Sequence, residues 1–512
     1  MAGKLLNILL FTSATAAVCA QKTPVPFYGK SASGKTSPPR GWNSFVAQSN
    51  KVKLTVAMVD EQCSFFYDRK NRGNTDDNFN YFCGFDSGWS KPYDGDEHGR
   101  IVPDDSVFDS MSIQDFAAKL HRNGMKFGIY MIPGAFTGDS EKKVEGTNIT
   151  IGSLFNTTED PRDAVSNAYN ARNDFDYTKP GVQEWHDSVV KLFDSWGVDM
   201  VKLDYVTPGS DYEDGNINQT RPADDSGAVV CMHKAIMKHA PHMQLDISWR
   251  LERQEPFWTL WQGNADTIRV DRDINFGQSP VSWGPTQRTI EQYRLFINEQ
   301  ASDPARQNKP IMIRPDMDSL LVATSSESSP WSGYNKVERY AQAILWIGAG
   351  ANLITGSDMT KVDDLGKKLL TDSEVLEIAA FTANFPMVPR NPSNTKEPGG
   401  SKASQLQTWI AGPNDSGTAV VVLSNLGPDQ CWDKECSFNT KTAGDQFLNV
   451  TLNDLGIGGD KWFARRVLGG GGRGGDDATD VGVVDKELTS WLSEHESVLL
   501  KLQKCGTSGA SC

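Results

Sequence analysis

Hydrophobic positions along this chain repeat with two periods, one typical of strands and the other typical of helices. Up to about residue 380, short apolar runs are each followed by a helical pattern or by a segment long enough to hold a helix. The predicted strands are 41–45, 81–86, 126–132, 198–206, 243–248, 267–271, 310–314 and 351–355, and the predicted helices are 52–63, 113–122, 182–196, 223–239, 290–300, 337–347 and 363–380. Eight strands that alternate with helices predict an α/β fold of the (β/α)8 TIM-barrel type.

A doubly wound open sheet is the alternative arrangement for such a pattern. That fold usually carries a Gly-rich phosphate-binding turn after its first strand, and the sequence has no such turn there. The barrel is therefore the favoured prediction, with its domain at residues 21–390.

The pattern changes at about residue 404. Five short runs that alternate or are apolar throughout lie between turns rich in Gly, Asn and Asp, namely 406–412, 418–426, 447–455, 462–468 and 497–502. They predict a C-terminal antiparallel β-sandwich at residues 400–505, joined to the barrel through the Pro- and Asn-rich segment 386–401. The GGGGRGG segment (469–475) lacks the GK[ST] ending of a phosphate loop and reads as a hairpin loop.

The first twenty residues have the pattern of a secretory signal peptide. Lys4 precedes a short apolar run (5–11), and Val18–Ala20 is a suitable cleavage site. The apolar run is too short to span a bilayer, so we expect a secreted protein without a membrane partner. Five N-x-S/T sequons agree with export, at Asn148, Asn156, Asn218, Asn414 and Asn449.

Cleavage after Ala20 would leave seven cysteines. Cys431 with Cys436, and Cys505 with Cys512, are close enough in sequence for local disulfides, and Cys63 with Cys83 is a third candidate pair. Cys231 would then be free and buried. There is no CxxC motif and the histidines are scattered, so we expect neither a metal site nor a cofactor.

The charge narrows the set of partners. A formal net charge of −14 argues against nucleic acid and anionic membranes. It suits a protein that handles neutral or cationic substrates.

In a TIM barrel the carboxyl ends of the strands form the active site. The polar and aromatic residues at the predicted strand ends are Trp42, Asp86, Ser87, Trp89, Tyr130, Lys202, Asp204, Ser248, Trp249, Arg250, Arg269, Asp271, Asp273, Arg314 and Asp316. Several carboxylates among aromatic faces, without a thiol nucleophile or a phosphate loop, point to glycoside hydrolysis by two carboxylates. Asp204 with Lys202 could also be a structural ion pair. One of Asp271 and Asp273 is expected to be structural or paired with an arginine.

Seven motifs resemble glycoside hydrolase family 27 in order and spacing: RGWNSF (40–45), FDSGW (85–89), GRIVPDDSVF (99–108), KFGIY (126–130), VDMVKLDYV (198–206), IRVDRDI (268–274) and RPDMDSLLV (314–322). The family contains α-galactosidases and α-N-acetylgalactosaminidases. The resemblance implies a barrel with a C-terminal β domain, a retaining mechanism and a carbohydrate substrate.

By motif position, the resemblance makes Asp204 the nucleophile and Asp273 the acid/base. It places Trp42, Asp86, Ser87, Tyr130, Lys202, Ser248, Trp249 and Arg269 in the substrate pocket. A retaining pair is expected roughly 5–5.5 Å apart. Lys202 would favour the negative charge of Asp204, and burial beside Asp204 would raise the pKa of Asp273, so we expect an acidic working pH.

The sequence departs from the family pattern at two positions that contact the sugar: Ser87 stands where a second aspartate is usual, and Ser248 where a glutamate is usual. Val206 stands where a cysteine is often found, and the partner of that cysteine is also missing, so the family's disulfide is lost here. We expect an α-galactosidase. The alternatives are a relative acting on N-acetylgalactosamine, β-L-arabinopyranose or an α-glucoside, and a non-catalytic carbohydrate-binding protein.

Overall fold

The computed structural model describes residues 25–73, 81–156, 172–209, 224–248, 250–275, 281–323, 331–395, 398–431, 438–473, 475, 478–506 and 512. Its strands are β1 (Arg40–Asn43), β2 (Tyr81–Phe85), β3 (Lys126–Met131), β4 (Ala135–Phe136), β5 (Arg172–Asn173), β6 (Met200–Leu203), β7 (Gln244–Ile247), β8 (Thr267–Arg269), β9 (Arg314–Asp316), β10 (Leu353–Thr355), β11 (Val388–Pro389), β12 (Leu406–Ala411), β13 (Thr418–Asn425), β14 (Gln446–Thr451), β15 (Trp462–Leu468), β16 (Thr479–Val484), β17 (Glu487–Leu492) and β18 (Ser497–Lys504). Its α-helices are α1 (Phe45–Ser49), α2 (Val56–Cys63), α3 (Ile113–Arg122), α4 (Val182–Trp196), α5 (Ser226–His239), α6 (Phe257–Asn264), α7 (Trp283–Ser302), α8 (Lys336–Ala349), α9 (Asp364–Thr371) and α10 (Ser373–Thr382).

Eight parallel strands form the barrel, in the order β10-β1-β2-β3-β6-β7-β8-β9. The ring closes beyond the end of β9, where Leu320 forms a parallel bridge with Thr355 of β10. The three residues between β9 and this bridge are out of the regular pairing, and Asp318 among them has φ of 71°. The predicted (β/α)8 fold is confirmed, with the helices packed outside the sheet.

Local capping explains where several helices begin. The predicted helix 52–63 starts only at Val56, because the Thr55 side chain accepts a hydrogen bond from the Met58 N–H at 3.2 Å. The predicted helix 363–380 is two helices, since Asp372 interrupts it and its carboxylate caps the second one through the N–H groups of Glu374 and Val375. The helix predicted at 290–300 extends from Trp283 to Ser302.

The predicted seventh strand, 310–314, is misplaced. The strand that joins the barrel is β9, which begins at Arg314. The apolar run before it pairs instead with the N-terminal arm, where Ile311 forms a parallel bridge with Tyr28. The Arg314 guanidinium donates to the carbonyls of Gly29 and Thr36 at 3.1 and 2.8 Å, so it holds the arm.

The C-terminal part is antiparallel, as predicted. A six-stranded sheet runs β11-β12-β13-β18-β15-β16, and the two-stranded sheet β14–β17 packs against β12 and β13. The segment 386–401 contributes β11 to this sheet, so it is more than a linker. The glycine-rich segment joins the antiparallel pair β15 and β16, which confirms the hairpin.

The β domain is fastened to the outer helices of the barrel. Trp283 of α7 donates its indole N–H to the Leu426 carbonyl at 2.9 Å, and His495 lies 2.8 Å from the Glu338 carboxylate of α8. Arg465 of β15 reaches the Glu374 carboxylate of α10 at 2.8 Å.

Two of the expected disulfides are present, Cys63–Cys83 and Cys505–Cys512. Cys231 is free and buried, as expected. Cys431 is disulfide-bonded, but its expected partner Cys436 lies outside the described residues, as do the signal segment and Asn218. Among the described residues, no helix is both long and apolar enough to cross a membrane.

Candidate active site

The carboxyl ends of the barrel strands gather charged side chains around two cations, the half-buried Lys202 and the buried Arg269. Lys202 of β6 lies 2.9 Å from the Asp86 carboxylate, which follows β2. Its ammonium also lies 5.5 and 5.7 Å from the ring centroids of Phe45 and Tyr130. Burial opposes the charge of Lys202, but the carboxylates of Asp86 and Asp204 outweigh it and raise the pKa of this lysine. Lys202 is therefore a fixed cation.

Asp204 follows the last residue of β6 and is half-buried. Its Oδ2 accepts a hydrogen bond from the Tyr130 hydroxyl at 2.9 Å. Tyr130 is itself buried in β3, with Lys202 paired to it across the strands. This hydrogen bond, from a donor on a buried strand, therefore orients the Asp204 carboxylate at the barrel mouth.

Arg269, at the end of β8, is the second cation and joins two carboxylates. Its Nη2 donates to Asp273 at 2.6 Å and to Asp318 at 2.5 Å, and its Nη1 lies 3.5 Å from the Ser248 hydroxyl. The Asp318 carboxylate also accepts hydrogen bonds from the backbone N–H groups of Ile274 at 2.8 Å and Ser319 at 2.6 Å. Asp318 thus ties Arg269 to the loop that carries Asp273.

The two carboxylates on Arg269 differ in their protonation. Burial raises the pKa of Asp273 to about 6; Arg269 opposes this, whereas the charges of Asp318 and Asp204 add to it. Burial also acts on Asp318, but Arg269 and the Ile274 N–H outweigh it and lower its pKa. At mildly acidic pH, Asp273 is therefore the more readily protonated of the two, and its side chain keeps 43% exposure.

Two further carboxylates lie deeper in the barrel. Asp246 of β7 accepts a hydrogen bond from the Thr267 hydroxyl at 2.6 Å, and burial together with the charge of Asp316 raises its pKa to about 7. Burial likewise raises the pKa of Asp316. The floor of the site therefore holds two acidic groups with raised pKa values, and Asp246, with a pKa of about 7, is mostly neutral near pH 6.

Comparisons with known proteins place this arrangement in a family, although no protein-family model matches the chain. Alpha-galactosidase 3 of Hypocrea jecorina is 37% identical over 492 residues, which cover 93% of this chain and 72% of that protein. Alpha-galactosidase 8 of Emericella nidulans is 36% identical over 435 residues, which cover 81% of this chain and 79% of that protein. A solved family 27 β-L-arabinopyranosidase from Geobacillus stearothermophilus has the same fold, with a TM-score of 0.69 at 20% identity over 93% of this chain and 98% of that one.

The chain belongs to glycoside hydrolase family 27. Within this family 27 enzyme, the structure brings together seven of the ten residues expected in the site: Asp86, Tyr130, Lys202, Asp204, Ser248, Arg269 and Asp273. Ser87 follows Asp86 directly, and its N–H donates to that carboxylate at 2.9 Å. Trp249 lies outside the described residues.

Trp42 of the family 27 enzyme is fully buried. Its indole N–H donates to the Ser357 carbonyl at 2.8 Å, so the ring is held in place at the barrel end. Asp271 proves to be the structural member of its pair: it is buried and lies 2.7 Å from the Arg288 guanidinium. The expected division between Asp271 and Asp273 therefore holds.

Sequence reasoning about this family 27 chain overlooked Asp246 and Asp318. Asp246 of β7 lies two residues before Ser248, which directly follows that strand, so the alternation of side chains along an extended segment could have identified it. Asp318 lies two residues after Asp316, but outside the regular strand. Its position depends on the break in pairing beyond β9, which no local pattern shows.

Proposed function

We propose that this family 27 enzyme is a retaining α-galactosidase that releases terminal α-galactosyl residues from oligosaccharides or polysaccharides. The observation that carries the proposal is the division of labour between two carboxylates. Asp204 is held by the Tyr130 hydroxyl, while burial raises the pKa of Asp273 to about 6. A retaining glycosidase needs this combination of an oriented nucleophile and a protonated acid.

In the first step, an Asp204 oxygen forms a bond to the anomeric carbon as the bond to the leaving oxygen breaks. Asp273 gives its proton to that leaving oxygen. In the second step, Asp273 takes a proton from water, the water oxygen bonds to the anomeric carbon, and the ester to Asp204 breaks. The sugar leaves with its original anomeric configuration, and both carboxyl groups return to their starting states.

The two fixed cations and their partners are proposed to bind the sugar hydroxyls. Asp86 and Lys202 form one charged pair, while Arg269 and Ser248 form another hydrogen-bonding edge. Ser87, Tyr130, Trp42 and Trp249 complete the proposed substrate pocket. Because each charged group is already oriented by a partner, little reorganisation is needed when a hydroxyl binds.

A β-L-arabinopyranoside is the second candidate substrate, favoured by the fold match to the Geobacillus stearothermophilus enzyme. The two sugars share their ring configuration and differ by the hydroxymethyl group. Ser87 and Ser248 stand where the family usually has carboxylates that contact the sugar. Loss of the hydrogen bond to one sugar hydroxyl can change the preference between two glycones by several kcal/mol, on the order of 10⁴-fold.

A panel of aryl glycosides tests the proposal. The α-galactoside, α-N-acetylgalactosaminide, α-glucoside and β-L-arabinopyranoside should be assayed between pH 4 and 7, with the Asp204→Asn variant as the matched control. We expect the highest kcat/KM for the α-galactoside, and a product whose first-formed anomer, observed by NMR, is α. A better rate on another glycone would reassign the sugar, whereas an inverted product would overturn the mechanism.

We also propose export of the enzyme, with residues 1–20 as the signal peptide, a barrel domain at 21–390 and a β domain at 400–505. N-terminal sequencing of the protein secreted by a fungal host would test the cleavage after Ala20. A mature chain that begins at Met1 would contradict it.

A further inference from the structure

An exposed aromatic pair marks the outer face of the β domain. Phe447 of β14 and Trp491 of β17 lie directly opposite each other across the two strands. Their ring centroids are 5.4 Å apart, and the side chains remain 48% and 53% exposed. Large aromatic side chains are usually buried, so we expect another molecule or a covalently attached group to cover this face.

A sequon lies on that same face. Asn449 and Thr451 of the N-V-T triplet follow Phe447 at steps of two along β14, and alternate residues of a strand share a face. The residues between them, Leu448 and Val450, are buried in the domain. The asparagine and the aromatic pair are therefore neighbours on the solvent side.

This arrangement is specific to one of the five sequons. Only Asn449 has an aromatic residue two positions earlier. The corresponding positions before Asn148, Asn156, Asn218 and Asn414 hold Gly146, Leu154, Asn216 and Gly412.

We propose that Asn449 carries an N-linked glycan whose first N-acetylglucosamine packs on Phe447 and Trp491. The sugar's C–H groups carry a slight positive charge and suit the negative face of an aromatic ring. Such packing removes apolar ring surface from water. The glycan is part of this chain, so it covers the exposed pair without any partner protein.

The chemistry of attachment fits the hydrogen bonding at Asn449. Its Nδ2 donates to the Glu487 carboxylate at 2.9 Å. In the transfer, Nδ2 bonds to the anomeric carbon of a lipid-pyrophosphate-linked oligosaccharide, the lipid pyrophosphate leaves and one amide proton is lost. Nδ2 carries two hydrogens, so one remains for Glu487. Asn449 and Phe447 also border an open cleft of about 720 Å³, which leaves room for the sugar.

The inference rests on the proposed export but not on the proposed reaction. Full-length protein secreted by yeast should be digested and analysed by mass spectrometry for glycan at each sequon. We expect Asn449 to be occupied. An unmodified Asn449 overturns the inference, and a glycan on the exposed Asn148 in the same sample would show that export still holds.

Thermal unfolding tests the packing itself. Endoglycosidase H leaves one N-acetylglucosamine on each site, and we expect the Tm to stay unchanged after this treatment. The Asn449→Gln variant should melt about 2 °C lower, the order of shift expected for one modest contact in a large protein. The matched control Asn148→Gln should not shift, because no aromatic residue precedes that sequon at two positions.

A double-mutant cycle between Asn449→Gln and Phe447→Thr separates packing from independent effects. We expect Phe447→Thr to lower the Tm in the glycosylated protein and to have a much smaller effect in the Asn449→Gln background. Additive shifts overturn the proposed contact. Binding of the fully glycosylated protein to a galactomannan, lost on Trp491→Ser, would also overturn it by showing that the pair docks the polymer.

Discussion

Asp318 offers a sharp test of the electrostatics of the site. Its carboxylate and that of Asp273 accept from the same Arg269 nitrogen, at 2.5 and 2.6 Å. The change Asp318→Asn removes a negative charge next to Asp273 while it keeps one oxygen acceptor for Arg269. Since the charge of Asp318 raises the pKa of Asp273, its removal should lower that pKa.

The geometry gives the size of the effect. Two oxygens bonded to one nitrogen are at most roughly 5 Å apart. At that distance the repulsion between two unit negative charges is about 3 kcal/mol at an effective dielectric constant of 20 and about 0.8 kcal/mol in water. The Asp273 side chain is 43% exposed, so solvent screening moves the value toward the lower end. We therefore expect a downward shift of about one pH unit, since one pKa unit is about 1.4 kcal/mol.

The assay is kcat/KM against pH with the best aryl glycoside of the panel. The wild-type enzyme should lose activity tenfold per pH unit above about pH 6, because only protonated Asp273 can give the proton. Asp318→Asn should begin this loss near pH 5. The control Asp318→Glu keeps the charge, so its activity should still begin to fall near pH 6, whatever its effect on KM. If the activity of Asp318→Asn also begins to fall at the wild-type pH, the reasoning is refuted.

Three other measurements follow from the structure. Asp204→Asn should reduce kcat by on the order of 10⁴-fold or more, while calorimetry still detects sugar binding; retained turnover would remove Asp204 as nucleophile. The double change Cys63→Ser with Cys83→Ser should cost about 3 kcal/mol of unfolding free energy in urea, from the chain entropy of a loop of this size; unchanged stability would mean that the crosslink is redundant. Burial raises the pKa of Asp246 from its ordinary 3.8 to about 7, so ionisation penalises the folded state progressively as pH rises from about 4 to 7. The Tm of Asp246→Asn relative to wild type should therefore increase between pH 4.5 and 7.5, and a constant difference would contradict the shift.

Much of the barrel could be predicted because its elements have clear periods. The helices α3 and α4 end where the sequence indicates, and Lys202 and Asp204 stand out as charges within an apolar strand. The seventh strand shows the limit of such reasoning. An apolar run indicates burial but does not identify the segment that buries it, and here Ile311 pairs with the arm.

Other elements carry no usable pattern at all. The strands β16 and β17 were not predicted. Every residue of β16 is exposed or half-buried, so no alternation appears. In β17 the buried Leu488 and Leu492 do alternate with exposed positions, but the exposed Trp491 obscures that pattern in the sequence. Asp318 reaches the site through a left-handed backbone conformation beyond β9. Its role depends on where the barrel closes, and that information resides in the tertiary structure.

The N-terminal arm has a consequence for the order of events during synthesis. The Arg314 side chain binds the carbonyl of Gly29, a residue 285 positions earlier in the chain. The arm therefore leaves the ribosome long before its partner exists, and the loop that joins them is among the costliest to close. We expect folding of the barrel to be completed late, with the earlier strands held in a partly assembled state until the seventh has been made.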